Sequence, residues 1–397
     1  MKIGEPSSLP TRRQLLRSSA LASIGLACGF SSRGYAAAAA KVRAVETISH
    51  QPELYHGWPT LTRRASGQLL LVCSGGREGH VCPFGRVEVM RSDDGGETWT
   101  WPRTISDGPI DDRDAGIVET AKGSLLVTTF TSLAYESQLL SAAAKKTGDA
   151  GAWPNEKLKR WFAVHNRIDA ERRQRELGQW MLRSTDGGVT WSERYASIVN
   201  SPHGPIQLSD GRLLYAGKEL WTGERRVGVC ESADDGQSWR WLAEIPVRDG
   251  DERKNYHELH AVESQPGKIV VQIRNHNPAN SGETLQCESG DGGKTWTEPH
   301  SIGVWGLPSF LSKLSDGRLL MTYGHRRKPF GNQARVSADG GRSWSDSITI
   351  SGDGAGGDLG YPSTAQLDDG SLVTVWYEKL AGTQHAVLRQ ARWTLEG

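Results

Sequence analysis

The sequence predicts an all-β fold, a six-bladed β-propeller with a helical insertion in its second blade. Three observations carry that expectation. A box of the form Ser-x-Asp-x-Gly-x-Thr/Ser-Trp occurs five times, at Ser92–Trp99, Ser184–Trp191, Ser232–Trp239, Ser289–Trp296 and Ser337–Trp344. A second repeat, Gly-x-Leu/Ile followed by Leu or Val, interleaves with it six times, beginning at Gly67, Gly123, Gly211, Gly267, Gly317 and Gly370. The spacings of that glycine, 56, 88, 56, 50 and 53 residues, suit four short strands and their turns per unit, with the second unit over-long.

In chain order, residues 1–38 read as an export signal, with a basic disordered tail as the alternative. Thr11-Arg12-Arg13-Gln14-Leu15-Leu16-Arg17 has the twin-arginine form, the apolar stretch Leu21 to Phe30 follows, and Tyr35-Ala36-Ala37-Ala38 offers small residues for cleavage. That stretch is too short to span a bilayer, so the expected product is periplasmic or secreted. Cys28, in Leu26-Ala27-Cys28-Gly29, is a lesser candidate for lipid attachment, because Gly25 stands where such sites carry a bulky apolar residue. Residues 39–397 then form one propeller. The segment Lys41 to Ile48 precedes the first unit and the sixth unit has no box, so this segment is expected to complete the last blade and close the ring. In each box Asp hydrogen-bonds its own turn, Gly supplies positive φ, and Trp packs the hairpin onto its neighbours. The insertion falls at about 135–180. Within it Leu158, Trp161, Phe162, Val164 and Ile168 recur near the helical period, which predicts one or two helices. They would form either a lid over a pocket or a helical hairpin with a solvated, Arg-rich side.

Charge and cysteine usage narrow the partners. Lys and Arg number 47 against 46 Asp and Glu, and five of the basic residues lie in the export segment. This gives no electrostatic case for nucleic acid or an anionic membrane. Cys73, Cys82, Cys230 and Cys287 lack metal-ligand spacing and read as buried free thiols; no metal and no cofactor is expected. A small ligand such as a glycan or an acidic sugar fits better, while nothing in the sequence sets an oligomeric state.

In a propeller the inner strands all start on one face around the axis, so the residues before each inner strand converge on one pocket. Those six positions hold His56-Gly57-Trp58-Pro59, Asp111-Asp112-Arg113-Asp114, His203-Gly204-Pro205, Tyr256-His257-Glu258, Trp305-Gly306-Leu307-Pro308 and Gly360-Tyr361-Pro362. A second ring comes from the ends of the following strands: Arg77, Lys218-Glu219, Arg274-Asn275-His276, His325-Arg326-Arg327 and Tyr377-Glu378. Polar, aromatic and ionisable groups stand where a packed core would take Val or Leu. Such a cavity suits a sugar bearing an acid group, with Trp58 and Trp305 as platforms and His203 and His257 hydrogen-bonding hydroxyls. Each position has a structural alternative: Tyr361 as a packing aromatic, Arg274 and Arg326 as ion-pair partners, Asp111 to Asp114 as a solvated turn. A metal held by His203, His257 and Asp112 is the weaker option, lacking a metal-spaced motif.

The repeated box resembles the Asp box of the sialidase (neuraminidase) superfamily, and the likeness runs from about Lys41 to the C-terminus. The resemblance implies a six-bladed propeller whose boxes lie away from the ligand. It also implies a retaining mechanism with a Tyr nucleophile activated by Glu, an Asp acid/base, and three arginines on the sugar carboxylate. A neutral phenol avoids the repulsion that a carboxylate nucleophile would meet from an anionic substrate. Tyr361, in Gly360-Tyr361-Pro362-Ser363, matches the nucleophile; Glu258, sixteen residues before Arg274, matches the activating Glu and its arginine. Arg326, in Tyr323-Gly324-His325-Arg326, resembles the third arginine and Arg77, in Ser74-Gly75-Gly76-Arg77, a pocket arginine of the family. Two departures stand out. Gly57-Trp58-Pro59 replaces the family's Arg-Ile-Pro, and His80-Val81-Cys82-Pro83 occupies the stretch where its acid/base Asp is expected. Asp112 or Asp114, and less favourably His80, remain as acids, with Arg113 as the replacement cation.

The reading reached is an exported exo-glycosidase of sialidase type acting on a terminal acidic sugar. The alternatives are a glycosidase or lyase on another acidic sugar such as a uronate, or a carbohydrate-binding propeller without catalysis.

Overall fold

Each repeat unit folds into one four-stranded antiparallel sheet, and the six sheets are the blades of a β-propeller. The structure, a computed structural model, describes residues 39–221 and 223–396; the export-signal and Cys28 readings therefore lie outside the described residues. The inner strands are Tyr55–Arg63, Asp111–Glu119, Ile206–Gln207, Tyr256–Gln265, Ser309–Lys313 and Leu359–Gln366 in blades 1 to 6. Ala39–Thr47 is the outermost strand of blade 6, pairing with Ala386–Glu396 so that Ala39 faces Glu396 and Thr47 faces Arg389. The ring is thus closed by joining the two ends of the described chain in one sheet.

The second strand of each blade is the most apolar because neighbouring blades cover both of its faces. In blade 1 Leu69, Leu70, Leu71, Val72 and Cys73 are all fully buried. The core is divided accordingly among the six junctions between blades. One cluster joins Leu71 and Trp99 of blade 1 to Val373 and Tyr377 of blade 6. The others lie between blades 1 and 2, 2 and 3, 3 and 4, 4 and 5, and 5 and 6. Cys73, Cys82, Cys230 and Cys287 are buried free thiols.

The boxes occupy the turns between third and fourth strands, on the face opposite the starts of the inner strands. In the fifth box Ser337 Oγ donates to Asp339 at 2.8 Å and accepts from the Gly341 amide at 2.8 Å. Asp339 in turn accepts from the Ser343 amide at 2.9 Å and the Ser343 hydroxyl at 2.6 Å. The third box has Asp235 where the others have their first glycine, at φ 63°. Its carboxylate is held by Ser124 Oγ at 2.6 Å and by Arg183, which fixes this left-handed residue in place.

The insertion comprises three helices, α1 (Tyr135–Ala143), α2 (Asn155–His165) and α3 (Ala170–Arg175), between the second and third strands of blade 2. The sequence pattern foresaw α2 but not α1, which lies before the stretch where the helical period was read. Tyr135 and Leu139 of α1 and Trp161 of α2 bury Cys82, with Val81 and Phe84 packed against them. Trp161 Nε1 donates to Glu78 at 2.9 Å and Arg160 pairs with the same carboxylate at 2.9 Å. The insertion is therefore a buttress for loop 78–85 of blade 1 and not a free lid, while Arg172 and Arg175 of α3 form the expected exposed, Arg-rich side.

Replacing Asp339 by Ala removes three hydrogen bonds from an otherwise intact turn. It is expected to lower the unfolding free energy by about 1–3 kcal/mol in urea titration while leaving the opposite face unchanged. An unaltered midpoint would mean that the box does not stabilise its hairpin.

Candidate active site

Four side chains are turned toward the axis by the same backbone device. Trp58, Asp114, Glu258 and Tyr361 adopt φ of 55°, 48°, 43° and 54°, the left-handed region that non-glycine residues rarely enter. Each lies at a register break of its inner strand: between Gly57 and Thr60, Arg113 and Gly116, His257 and Leu259, and Gly360 and Ser363. A bulge with a left-handed residue re-aims one side chain without ending the strand, at a cost of order 1–3 kcal/mol per residue. Close approach of the chains makes room for the device in blade 6. A Cβ on Gly360, at φ 116°, would lie 3.2 Å from the Cα of Gly324 in blade 5.

Tyr361, Glu258 and Arg274 form one hydrogen-bonded set. The Tyr361 hydroxyl donates to Glu258 Oε1, Arg274 Nη1 binds Glu258 Oε2, and the same Nη1 lies 3.3 Å from the Tyr361 oxygen. Burial would raise the Glu258 carboxyl, but Arg274, the Tyr361 hydrogen bond and Arg326 outweigh it and hold it below its usual range. Burial and the Glu258 charge push the Tyr361 phenol well above its usual range, against Arg274 and Arg326. The phenol is thus neutral at rest and joined to an ionised acceptor. The Arg326 guanidinium lies 5.9 Å from the centre of the Tyr361 ring, and its Nε donates to the Leu359 carbonyl at 3.0 Å. Among the described residues no carboxylate pairs with it.

The two candidate acids separate. Asp114 shares the cavity with Glu258, Arg113 and Arg274; burial first, then Glu258, drive its carboxyl up to about 7 against those arginines. Asp112 lies beside the cavity instead. It accepts from the Gly108 amide at 2.6 Å and sits 3.8 Å from Arg194, fully buried, with its pKa raised by burial to about 7. The expectation that Asp112 could serve as the acid is corrected by that position.

Arg77 is corrected as well. Its side chain is fully buried and clamps Asp111 through two bonds of 2.7 and 3.0 Å, with further bonds to Ser74 and the carbonyls of Gly79, Asp112 and His80. Every donor direction is committed, so Arg77 braces blades 1 and 2 and cannot take a substrate carboxylate. Gly85 permits this clamp: a Cβ there would lie 2.0 Å from Arg77 Nη1. Arg113 stands 4.5 Å over the Trp58 ring and 3.7 Å from Asp111, at the edge of the cavity.

Trp58 proves to be packed wall and not open platform. It is 2% exposed, with the Arg77 and Arg113 guanidinium groups 5.0 and 4.5 Å from its ring and Tyr361 edge-on at 6.4 Å. Trp305, in contrast, is 38% exposed, with Arg327 5.3 Å over its ring. His203 lies beneath Tyr361, ring centres 6.3 Å apart, against His260 and Phe310. It is 2% exposed, so it belongs to the floor and does not meet ligand hydroxyls directly; burial, then His260, hold it neutral. His257 stands elsewhere, 4.8 Å from the His276 ring, so His203, His257 and Asp112 do not converge on a metal. Sequence reasoning missed Asp358, which accepts from Tyr55 at 2.9 Å, His80 at 3.0 Å and Tyr377 at 3.3 Å. Its signal was its place three residues before Tyr361 on the same strand start.

Comparison with known proteins fits this geometry. A family model described as a BNR repeat-like domain matches residues 151–374. The chain belongs to the BNR-repeat propellers of the sialidase superfamily. It is similar to a sialidase of Micromonospora viridifaciens, 25% identical over 299 residues that make up 74% of this chain and 36% of that one. The chain thus spans little more than a third of this relative's length. Among solved structures, a protein of unknown function from Dyadobacter fermentans superposes with a TM-score of 0.71 at 21% identity, covering 90% of this chain and 99% of that one. A Hadza microbial sialidase superposes with a TM-score of 0.62 at 20% identity, covering 88% of this chain and 68% of the other. These structural likenesses show the propeller fold.

The buried Asp112 carboxyl makes a pH-dependent stability difference measurable. Its folded pKa of about 7 exceeds the ordinary 3.8, so the folded state holds the extra proton between those values and stability falls as pH rises through that window. Asp112→Asn should therefore melt higher than the wild type at pH 8, by a margin that shrinks as the pH is lowered to 4.5. Equal melting at both pH values would show that the carboxyl is not raised.

Proposed function

We propose that the protein is a retaining exo-glycosidase that removes a terminal acidic sugar, with Tyr361 as nucleophile. The observation that carries this reading is the Tyr361–Glu258–Arg274 set: a buried phenol donating to an ionised carboxylate whose charge an arginine fixes. That arrangement lets the phenol lose its proton to Glu258 as its oxygen attacks the anomeric carbon. Asp114, protonated up to about pH 7, gives its proton to the glycosidic oxygen as the bond to the leaving group breaks. Asp114 carboxylate then takes a proton from water, whose oxygen displaces the Tyr361 oxygen; Glu258 returns its proton to the phenolate. Arg326, which has no carboxylate partner among the described residues, and Arg274 receive the carboxylate of the sugar. With Gly57-Trp58-Pro59 in place of the family's Arg-Ile-Pro, the first arginine is missing and two cations, not three, face that group; a uronate is the alternative substrate. The export signal read in residues 1–38 belongs to this proposal, since it would deliver the enzyme to glycans outside the cytoplasm.

Two measurements test the reading. On a panel of aryl sialosides and aryl uronides, Tyr361→Phe should reduce kcat by about a hundredfold or more while acidic-sugar binding persists. No turnover of any glycoside by the wild type, with binding intact, would leave a carbohydrate-binding module. The pH–rate profile should fall above about 7 as Asp114 ionises and fall at low pH as Glu258 is protonated. Asp114→Asn should lower kcat about 10²–10⁴-fold and remove the alkaline limb; if His80→Ala does this instead, the acid is His80.

A further inference from the structure

Beside the Tyr361 cavity, between blades 3 and 4, stands a cation that no charge among the described residues answers. Lys218 ends the second strand of blade 3, Leu213–Lys218, and is 6% exposed. Its ammonium donates to the carbonyl of Lys254, three residues before His257, at 2.6 Å. Among the described residues no carboxylate pairs with it: Glu219 is held by Arg226 at 2.8 Å and Glu252 by Lys254 at 2.6 Å. Burial, then Arg225, push its pKa down to about 8. Charged side chains this deeply buried are normally paired, because an uncompensated charge out of water is strongly destabilising.

The surroundings supply further donors and no acceptor of charge. The His257 and His276 rings lie 4.8 Å apart, and Arg274 Nε donates to His276 Nε2 at 2.7 Å, leaving the other His276 nitrogen as the donor. Burial first, then the Lys218 charge, lower the His257 imidazole to about 4; burial, then Arg274, lower His276. Glu258, the acid of this corner, is already engaged by Arg274 and Tyr361. Lys218 and Arg326 therefore remain as two unanswered cations beside a single Tyr361–Glu258 pair.

We infer that Lys218, with His257 and His276, forms a second oxyanion subsite for a sulfate ester or further carboxylate on the sugar or its immediate neighbour. The subsite rests on the proposed glycosidase reading for what carries the anion, but not for the binding of the anion itself. A ligand oxyanion supplies the missing counter-charge and accepts from the ammonium and the imidazole N–H groups.

The test uses the full chain and its Lys218→Met and Lys218→Arg variants, with sodium sulfate, sodium acetate and sodium chloride at equal ionic strength. Without sulfate, Lys218→Met should melt above the wild type, since an unpaired buried charge is replaced by an apolar chain; a lysine with a merely structural role would make it melt lower. Sulfate should raise the melting temperature of the wild type and of Lys218→Arg beyond chloride, and its affinity, by calorimetry, should fall about tenfold in Lys218→Met. Acetate acting in its place assigns the subsite to carboxylates. Equal sulfate affinity in Lys218→Met and wild type, or loss of sulfate binding only in Arg326→Gln, overturns the inference. If no aryl glycoside is turned over while sulfate binding still depends on Lys218, the glycosidase reading falls and the subsite stands.

Discussion

Closure of the ring is the constraint on which the remaining features depend. A blade by itself is a sheet with two apolar faces, and each is covered only because another blade lies on either side. The pairing of Ala39–Thr47 with Ala386–Glu396 completes the sixth sheet and so completes the pair of junctions it shares with blades 1 and 5. The cavity inherits its precision from that closure. Tyr361 and Glu258 come from blades 6 and 4, and their hydrogen bond has meaning only if the angular positions of those blades are set by the whole circle.

The circle also explains how strained backbone can be kept at the axis. Left-handed residues at Trp58, Asp114, Glu258 and Tyr361 are costly one at a time, yet each is flanked by strand pairing on one side and a neighbouring blade on the other. Electrostatics follow the same logic. Arg77 and Asp111 neutralise each other inside the junction of blades 1 and 2, and at Asp114 burial outweighs the nearby Arg113 and Arg274. Burial can then keep Asp114 protonated while Glu258, facing arginine, stays ionised; two carboxyl groups in one cavity acquire opposite states from their surroundings.

The fold was legible because it repeats. The boxes and the Gly-x-Leu motifs mark turns with strict backbone requirements, and the strand before the first unit could only belong to the last blade. The Tyr361 and Glu258 positions were legible for a related reason, since inner-strand starts recur at the same phase of each unit, and Arg274 and Arg326 because the ends of the following strands recur likewise. What sequence could not show was direction. Arg77 and Asp112 occupy the expected phase, but Arg77 turns into the blade junction and Asp112, adjacent to the bulge residue pair, points to Gly108 and Arg194. Neighbouring residues on a strand face opposite sides, so one bulge decides which of Asp112 and Asp114 reaches the axis. Asp358 escaped notice because its partners Tyr55 and His80 come from the far end of the chain.

The strand that closes the ring has one more effect. Ala39 lies opposite Glu396 at the end of blade 6 remote from Tyr361, on the face where the other blades carry their boxes. Both ends of the described chain thus leave from one side of the disc. Anything joined through either of them would sit behind the propeller, with the mouth of the cavity turned outward and open to a large ligand.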